Sequence, residues 1–229
     1  AVSFPPERYG KGPEKDKISE VIFESPRTII QMKKKYSVAG IGELLWDMLP
    51  SGKQLGGAPF NFAYHARQAG TDSYIISAVG KDGPGDEIIN IIDYLGVDYQ
   101  YVQKNDYPTS TVNVTMDHPG HHSFEIVENV AWDHILFDER LITLAKKLDA
   151  ICFGSLAQRS FLSAHSIQSL VKSVREDCLR VFDINLRQRF FNREIISKSL
   201  EISDILKLND DELPIVSDYF NLTGDISAR

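Results

Sequence analysis

The chain has 229 residues, 42% of them hydrophobic and 25% charged, with a net charge of −7. That composition supports one sizeable core and is too apolar for a disordered segment. The acidic balance, with no basic run beyond Lys33, Lys34 and Lys35, excludes a nucleic-acid surface from the expected functions, although a phosphate site needs only local amides and one or two cations.

Residues 1–31 open with AVSFPPERYGKGPEKDK, rich in proline, glycine and charge, and are expected to form an irregular arm. Met32, followed by KKKYSVAGIGELLWD, reads as a natural chain start, and residues 32–229 as one α/β domain. YSVAGIG is a short apolar run closed by glycines, hence a buried strand. Residues 59–69 read as a helix, with Pro59 suited to the first turn and Gly70 to the stop. SYIISAVG is a strand, residues 86–95 a helix ended by Gly96, and VDYQYV another strand. Such alternation implies a parallel sheet covered on both faces.

The middle breaks that rhythm. STVNVTMD and HHSFEIVE alternate polar and apolar residues on either side of HPG, which predicts an antiparallel hairpin that covers a ligand or a partner. The βα pattern then resumes, with helices over residues 138–147, 163–176, 192–200 and 210–219 and strands at AICFGS, LRVFDIN and DILKLN. No stretch approaches the roughly 18 apolar residues that span a bilayer, and no secretory signal opens the chain. A cytoplasmic protein is expected, with Cys152 and Cys178 as buried free thiols and the sequons at Asn113 and Asn221 as chance matches.

Ligands of an open parallel sheet bind beyond the carboxyl ends of its strands. The polar residues that follow the predicted strands are Glu43 and Asp47, then residues 80–86, Gln158 and Arg159, Asp183, Asn185 and Arg187, and residues 209–212. Carboxylates and amides suit a polyhydroxylated ligand, glycines allow close backbone approach, and an arginine suits a phosphate. Each residue alone also reads as a turn or helix cap; the set together points to a site. A dinucleotide site is disfavoured because GIGEL lacks the third glycine and no acid ends a second strand at the expected place. His118, His121, His122 and His134 read as turn and hairpin residues, with no cysteine or carboxylate cluster to complete a metal shell.

GGAPFNFAYHARQAGTDSYIISAVG resembles the amino-terminal signature of the PfkB family of carbohydrate kinases, which have the ribokinase-like fold. Gly56, Gly57, Pro59, Asn61, Ala63, Gly70 and Gly80 stand where that signature has them, and VGKDGPG is similar to its continuation. GELLWDMLP, SFEIVENVAWD, DINLR and KLNDDE add to the likeness, which runs from about Tyr36 onward and is greatest to the fructokinase branch. The resemblance implies a three-layer α/β sandwich with a mainly parallel sheet, plus a small antiparallel β-lid from segments 46–56 and 109–128. In such kinases the lid closes over the sugar and often forms a homodimer contact. Asp47, Gly56, Gly57 and Asn61 would line the sugar pocket. Asn185 and Arg187 would face the reactive end of the sugar, with Arg187 stabilising the transferring phosphate. Asn209 and Glu212 match an N-x-x-E element that helps organise ATP and Mg2+, Glu212 acting on the metal indirectly.

The reaction implied is attack of a deprotonated primary hydroxyl, D-fructose being the leading acceptor, on the γ-phosphorus of ATP. The family's second signature is a glycine-rich GAGD turn whose amides form an anion hole and whose aspartate is the base. No such element occurs before Arg229, and TGD at residues 223–225 lacks the flanking strand and helix. The carboxyl-terminal part of the fold is therefore expected to be absent and this chain alone inactive. A non-catalytic sugar-binding or interaction protein is the alternative.

Overall fold

The computed structural model of the protein describes residues 35–118 and 121–224, so the arm expected over residues 1–31 lies outside it. Among the described residues the chain begins with β1 (Ser37–Ile41), β2 (Leu45–Leu49), β3 (Gly52–Gly56), α1 (Ala58–Gln68), β4 (Asp72–Gly80), α2 (Gly83–Tyr94) and β5 (Asp98–Asn105). It continues through β6 (Ser110–His118), β7 (His121–Ile126), α3 (Glu139–Ala145), β8 (Ala150–Gly154) and α4 (Phe161–Ser173). The last elements are β9 (Leu179–Asp183), α5 (Arg193–Glu201), β10 (Ile205–Lys207) and α6 (Glu212–Phe220).

The main sheet has the order β10-β9-β8-β1-β4-β5, and every neighbouring pair is parallel. Strand β4 shows why both faces are covered. Side chains alternate along a strand. Ile75 and Val79 join one core with Phe60 of α1 and Ile88 and Ile92 of α2. Ile76 and Ala78 join the other, which holds Trp132, Leu141 of α3, Leu170 of α4, Ile196 of α5 and Val216 of α6. The result is the expected three layers, helices–sheet–helices. Among the described residues no helix is long and apolar enough to cross a membrane.

A second, four-stranded sheet has the order β3-β2-β6-β7. It consists of two antiparallel hairpins, β2–β3 and β6–β7, joined by a parallel seam between β2 and β6. The seam is parallel because β2 follows β1 and β6 follows β5, so both leave the same edge of the main sheet. One joint fixes the two sheets to each other. Thr109, just before β6, donates its amide to Asp82 Oδ2 at 2.8 Å and its hydroxyl to Asp82 Oδ1 at 2.5 Å, and accepts Gly80 N at 2.9 Å. Trp46 of β2 also donates Nε1 to the Pro84 carbonyl at 3.1 Å.

Helix α2 starts at Gly83, ahead of the expected residue 86, because Asp82 caps it by accepting Gly85 N at 2.8 Å. Helix α4 stops at Ser173, short of the expected residue 176, since Val174 is already extended. Short 3-10 turns at Ala131–His134 and Leu156–Arg159 were not foreshadowed by any periodicity.

Candidate active site

A cavity of about 910 Å³ opens beyond the carboxyl ends of the central strands, between the first turns of α1 and the small sheet. Among the expected site residues, Asp47, Gly57, Asn61, Asn185 and Arg187 all line it. Val112 of β6 and Ile126 of β7 bring the small sheet onto its wall, and Leu156 adds an apolar side.

The double glycine is explained by two close approaches. A Cβ on Gly56 would collide with the Asp47 carboxylate, which reaches it diagonally across the β2–β3 hairpin, where Gly56 pairs with Leu45 and Asp47 with Gln54. Gly57 has φ 117°, and a Cβ there would strike the Glu43 carbonyl. Gly56 thus makes room for Asp47 without lining the cavity, while Gly57 turns the chain into α1. That turn aims Asn61, which closes the first helical turn through its amide to the Gly57 carbonyl at 2.9 Å. His65 lines the cavity one turn later.

Burial raises the pKa of Asp47, and the nearby Arg187 guanidinium partly offsets this. Glu43 is more strongly affected. It is 2% exposed, and burial pushes its carboxyl from 4.5 up to about 7 against the lowering effect of backbone donors that include Ala58. Its Oε1 accepts Ala58 N at 3.2 Å, the first amide of α1. Gly57 offers no side-chain cap to this helix, so Glu43 substitutes for one from a neighbouring loop.

The opposite wall is the loop after β9. Asn185 has φ 42° and Gln188 φ 47°, left-handed conformations that cost a non-glycine residue about 1–3 kcal/mol unless the surroundings over-determine them. Several bonds do so here. Ile184 donates to the Lys207 carbonyl at 3.1 Å and accepts the Ser155 hydroxyl at 2.6 Å. Glu212, 4% exposed, accepts Leu186 N on Oε1 at 2.8 Å and Asn209 N on Oε2 at 2.9 Å. Asn209 in turn accepts Glu212 N on Oδ1 at 2.9 Å. Neither Asn209 nor Glu212 lines the cavity; together they brace the loop that carries Asn185 and Arg187.

Several polar residues that follow strands do not converge on the cavity. Gly80, Asp82 and Gly85 form the joint between sheets. Hydrogen bonds from Thr109 and Gly85 outweigh desolvation and hold the Asp82 carboxyl below its usual range. Gln158 is buried and donates to the Gly154 carbonyl and Ser199 hydroxyl. Arg159 forms a buried pair with Asp133 between the rings of Trp132 and Phe190. His134 is stacked on Tyr107 and bonded to Asn129.

Conversely, Asp183 and Lys207 line the cavity as an ion pair at 2.9 Å. Of these two, only Asp183 was visible as a strand-end acid; Lys207 ends β10 but falls inside the longer strand expected over DILKLN, where nothing in the pattern marks it. Cys152 also lines the cavity, but burial raises its thiol to about 12. A thiol that ionises so late is no nucleophile at neutral pH. The Asp225 carboxyl of the TGD stretch lies outside the described residues.

The model of the pfkB family carbohydrate kinases matches residues 51–220. An ATP-dependent 6-phosphofructokinase from Thermoanaerobacterium thermosaccharolyticum is 28% identical over 196 residues, 78% of this chain and 60% of that protein. A fructokinase from Salmonella typhimurium is 28% identical over 201 residues, 82% of this chain and 65% of that protein. Among solved structures, an uncharacterised sugar kinase from Pyrococcus horikoshii superposes with a TM-score of 0.72 at 24% identity, covering 80% of this chain and 66% of the other. A fructokinase from Xylella fastidiosa with bound ATP gives 0.71 at 20% identity, covering 81% and 61%. The chain thus spans between 60% and 65% of these curated relatives' own length. With a family match over most of the chain, and with a parallel three-layer sandwich carrying its cavity under a small sheet, the protein belongs to the pfkB family of carbohydrate kinases.

Proposed function

We propose that this chain is the sugar-binding part of an ATP-dependent sugar kinase whose acceptor is D-fructose. One observation carries the reading. Asp47 and Asn61 face one cavity beyond the strand ends, with the small sheet over it. In this reading Asp47 and Asn61 hold sugar hydroxyls, and Asn185 and Arg187 meet the reactive end. The segments 46–56 and 109–128 act as a lid that excludes water. Pairing of two copies through this sheet belongs to the same proposal, since β3 and β7 are edge strands with backbone groups left to pair. The cytoplasm, reducing and supplied with ATP, suits two buried free thiols.

The relatives carry the names of both fructokinase and phosphofructokinase. Charge favours the neutral acceptor. Among the described lining residues there are three carboxylates, Glu43, Asp47 and Asp183, and two full cations, Arg187 and Lys207. Lys207 is committed to Asp183, which leaves Arg187 as the one full cation among the described lining residues to meet the phosphate of a phosphorylated sugar.

ATP and Mg2+ enter this reading through the family. Among the described residues no three His, Cys, Asp or Glu gather to hold a metal, and both Glu212 oxygens already accept backbone amides. The described residues do not by themselves fit a magnesium site, and no step is routed through one. Glu212 acts by holding the loop. The carboxylates at the cavity have other duties as well: Glu43 caps α1, Asp183 holds Lys207, and Asp47 faces the sugar. The proton acceptor is therefore assigned to residues outside this chain, and the 229 residues are proposed to bind sugar without turning it over. A purely sugar-binding or interaction role is the second reading, favoured by the Glu43 oxygen that caps α1 and the Asp183 carboxylate that holds Lys207.

The test is ADP release from ATP and Mg2+ with D-fructose, alongside thermal protection by D-fructose and by D-fructose 6-phosphate. No ADP above the blank, with protection by the neutral sugar, is expected. Turnover abolished by Asp47→Ala would overturn the assignment of the base, and protection by the phosphosugar alone would overturn the neutral acceptor.

A further inference from the structure

Among the described residues, two residues that line the cavity each hold a buried side-chain oxygen with no hydrogen-bond partner: Glu43 Oε2 and Asn61 Oδ1. Buried polar atoms are nearly always satisfied, so each orphan calls for an explanation. They flank the same turn, because Glu43 Oε1 takes the first amide of α1 and Asn61 closes its first turn. Capping α1 accounts for only one of the two Glu43 oxygens. A glutamine would cap equally well through its own Oε1, at a far smaller desolvation cost than a buried carboxyl. The second oxygen is thus unexplained by folding.

The groups that face Glu43 come from several elements. Asp183 of β9 and Arg187 of the following loop act on it electrostatically with opposite signs. Asp47 of β2, Cys152 of β8 and Lys207 of β10 share its cavity. The Asp183 carboxylate is held by Lys207, and Arg187 points Nη1 to the Leu186 carbonyl at 3.0 Å. None of these bonds to Oε2. An atom withdrawn from bulk water and left unbonded by the protein suits a ligand group brought in by the cavity.

We propose that Glu43 is a specificity-determining residue whose Oε2 hydrogen-bonds one hydroxyl of the acceptor sugar, next to the hydroxyl held by Asn61. The proposal rests on the sugar-binding reading above. A carboxyl at this place both caps the helix that carries Asn61 and reads a hydroxyl, so it discriminates against an acceptor that lacks that hydroxyl. Truncation of a hydroxyl opposite a buried polar group leaves that group unpaired, which is the strongest form of discrimination available to such a pocket.

The test is a calorimetric matrix of D-fructose and its singly deoxygenated analogues against the wild-type chain, Glu43→Gln and Asp47→Asn. Glu43→Gln keeps the Oε1 acceptor for Ala58 and replaces only Oε2. At about pH 8, above the value of about 7 to which burial pushes this carboxyl, it is expected to weaken D-fructose about tenfold or more, the loss for a bond to a charged group. One deoxy analogue should bind the wild type as weakly as Glu43→Gln binds D-fructose, and should lose nothing further in that variant. Deoxy penalties that persist unchanged in Glu43→Gln, or wild-type affinity in the variant, would overturn the proposal while Asp47→Asn still abolished binding. Failure of the wild type to bind D-fructose would overturn the sugar-binding reading and this inference with it. Should Glu43→Gln fail to fold, Glu43→Asp, which withdraws the carboxylate by one methylene, is read in the same matrix.

Discussion

At the scale of single residues, the double glycine before α1 is a packing requirement before it is a binding motif. Gly57 combines φ 117° with the Glu43 carbonyl where a Cβ would stand, so Gly57→Ala must both strain the backbone and shift the loop after β1 away from α1. We expect a loss of about 3 kcal/mol or more, visible as a lowered urea midpoint with an unchanged slope. Glu43 makes a second residue-level prediction. Its folded pKa of about 7 stands above the ordinary 4.5, so between these values the folded chain keeps a proton that the unfolded chain has released. The contribution of this group to stability is full below the lower value and is lost as pH rises through the upper one. Paired thermal melts should show the wild type losing ground to Glu43→Gln by on the order of 3 kcal/mol as pH rises from about 5 to about 8. Gly57 and Asn61 were legible in the sequence because their spacing follows a long signature, and Asp47 because it lies just past a predicted strand. The burial of Glu43, and hence its perturbed acidity, was not, since it depends on α1 packing against a loop that is distant from most of the helix.

At the scale of elements, the sheet and helix order was readable from alternating periods, while boundaries moved wherever a side chain caps an end. Asp82 extends α2 toward its amino terminus by accepting Gly85 N, and the same carboxylate also accepts from Thr109, just before β6 of the other sheet. The parallel seam of β2 with β6 was equally hidden, because it joins hairpins that each look self-contained. The loop after β9 depends on Glu212. Removing its carboxylate in Glu212→Ala leaves the amides of Leu186 and Asn209 without these acceptors, at a cost of about 1 kcal/mol for each part-buried bond. Hydrogen exchange should accelerate across residues 184–191, including the left-handed Asn185 and Gln188, and leave β4 and α2 unaffected.

At the scale of the whole molecule, two cores back one parallel sheet, and a small mixed sheet is riveted to it through Asp82, Gly80 and Thr109. The cavity lies where these parts meet, so its walls come from β2, α1, β6, β7, β8 and the loop after β9. That convergence was only partly legible. Strand-end position marked Asp47, Asp183, Asn185 and Arg187, but also Gln158 and Arg159, which the fold uses for internal packing. The central claim is that this cavity binds a neutral sugar through Asp47. The most direct test is isothermal titration calorimetry of D-fructose into the 229-residue chain and its Asp47→Ala variant, both shown by circular dichroism to be folded. The account predicts saturable binding by the wild type and none by the variant. A folded wild-type chain that gives no heat, or a variant that binds as well as the wild type, would contradict it.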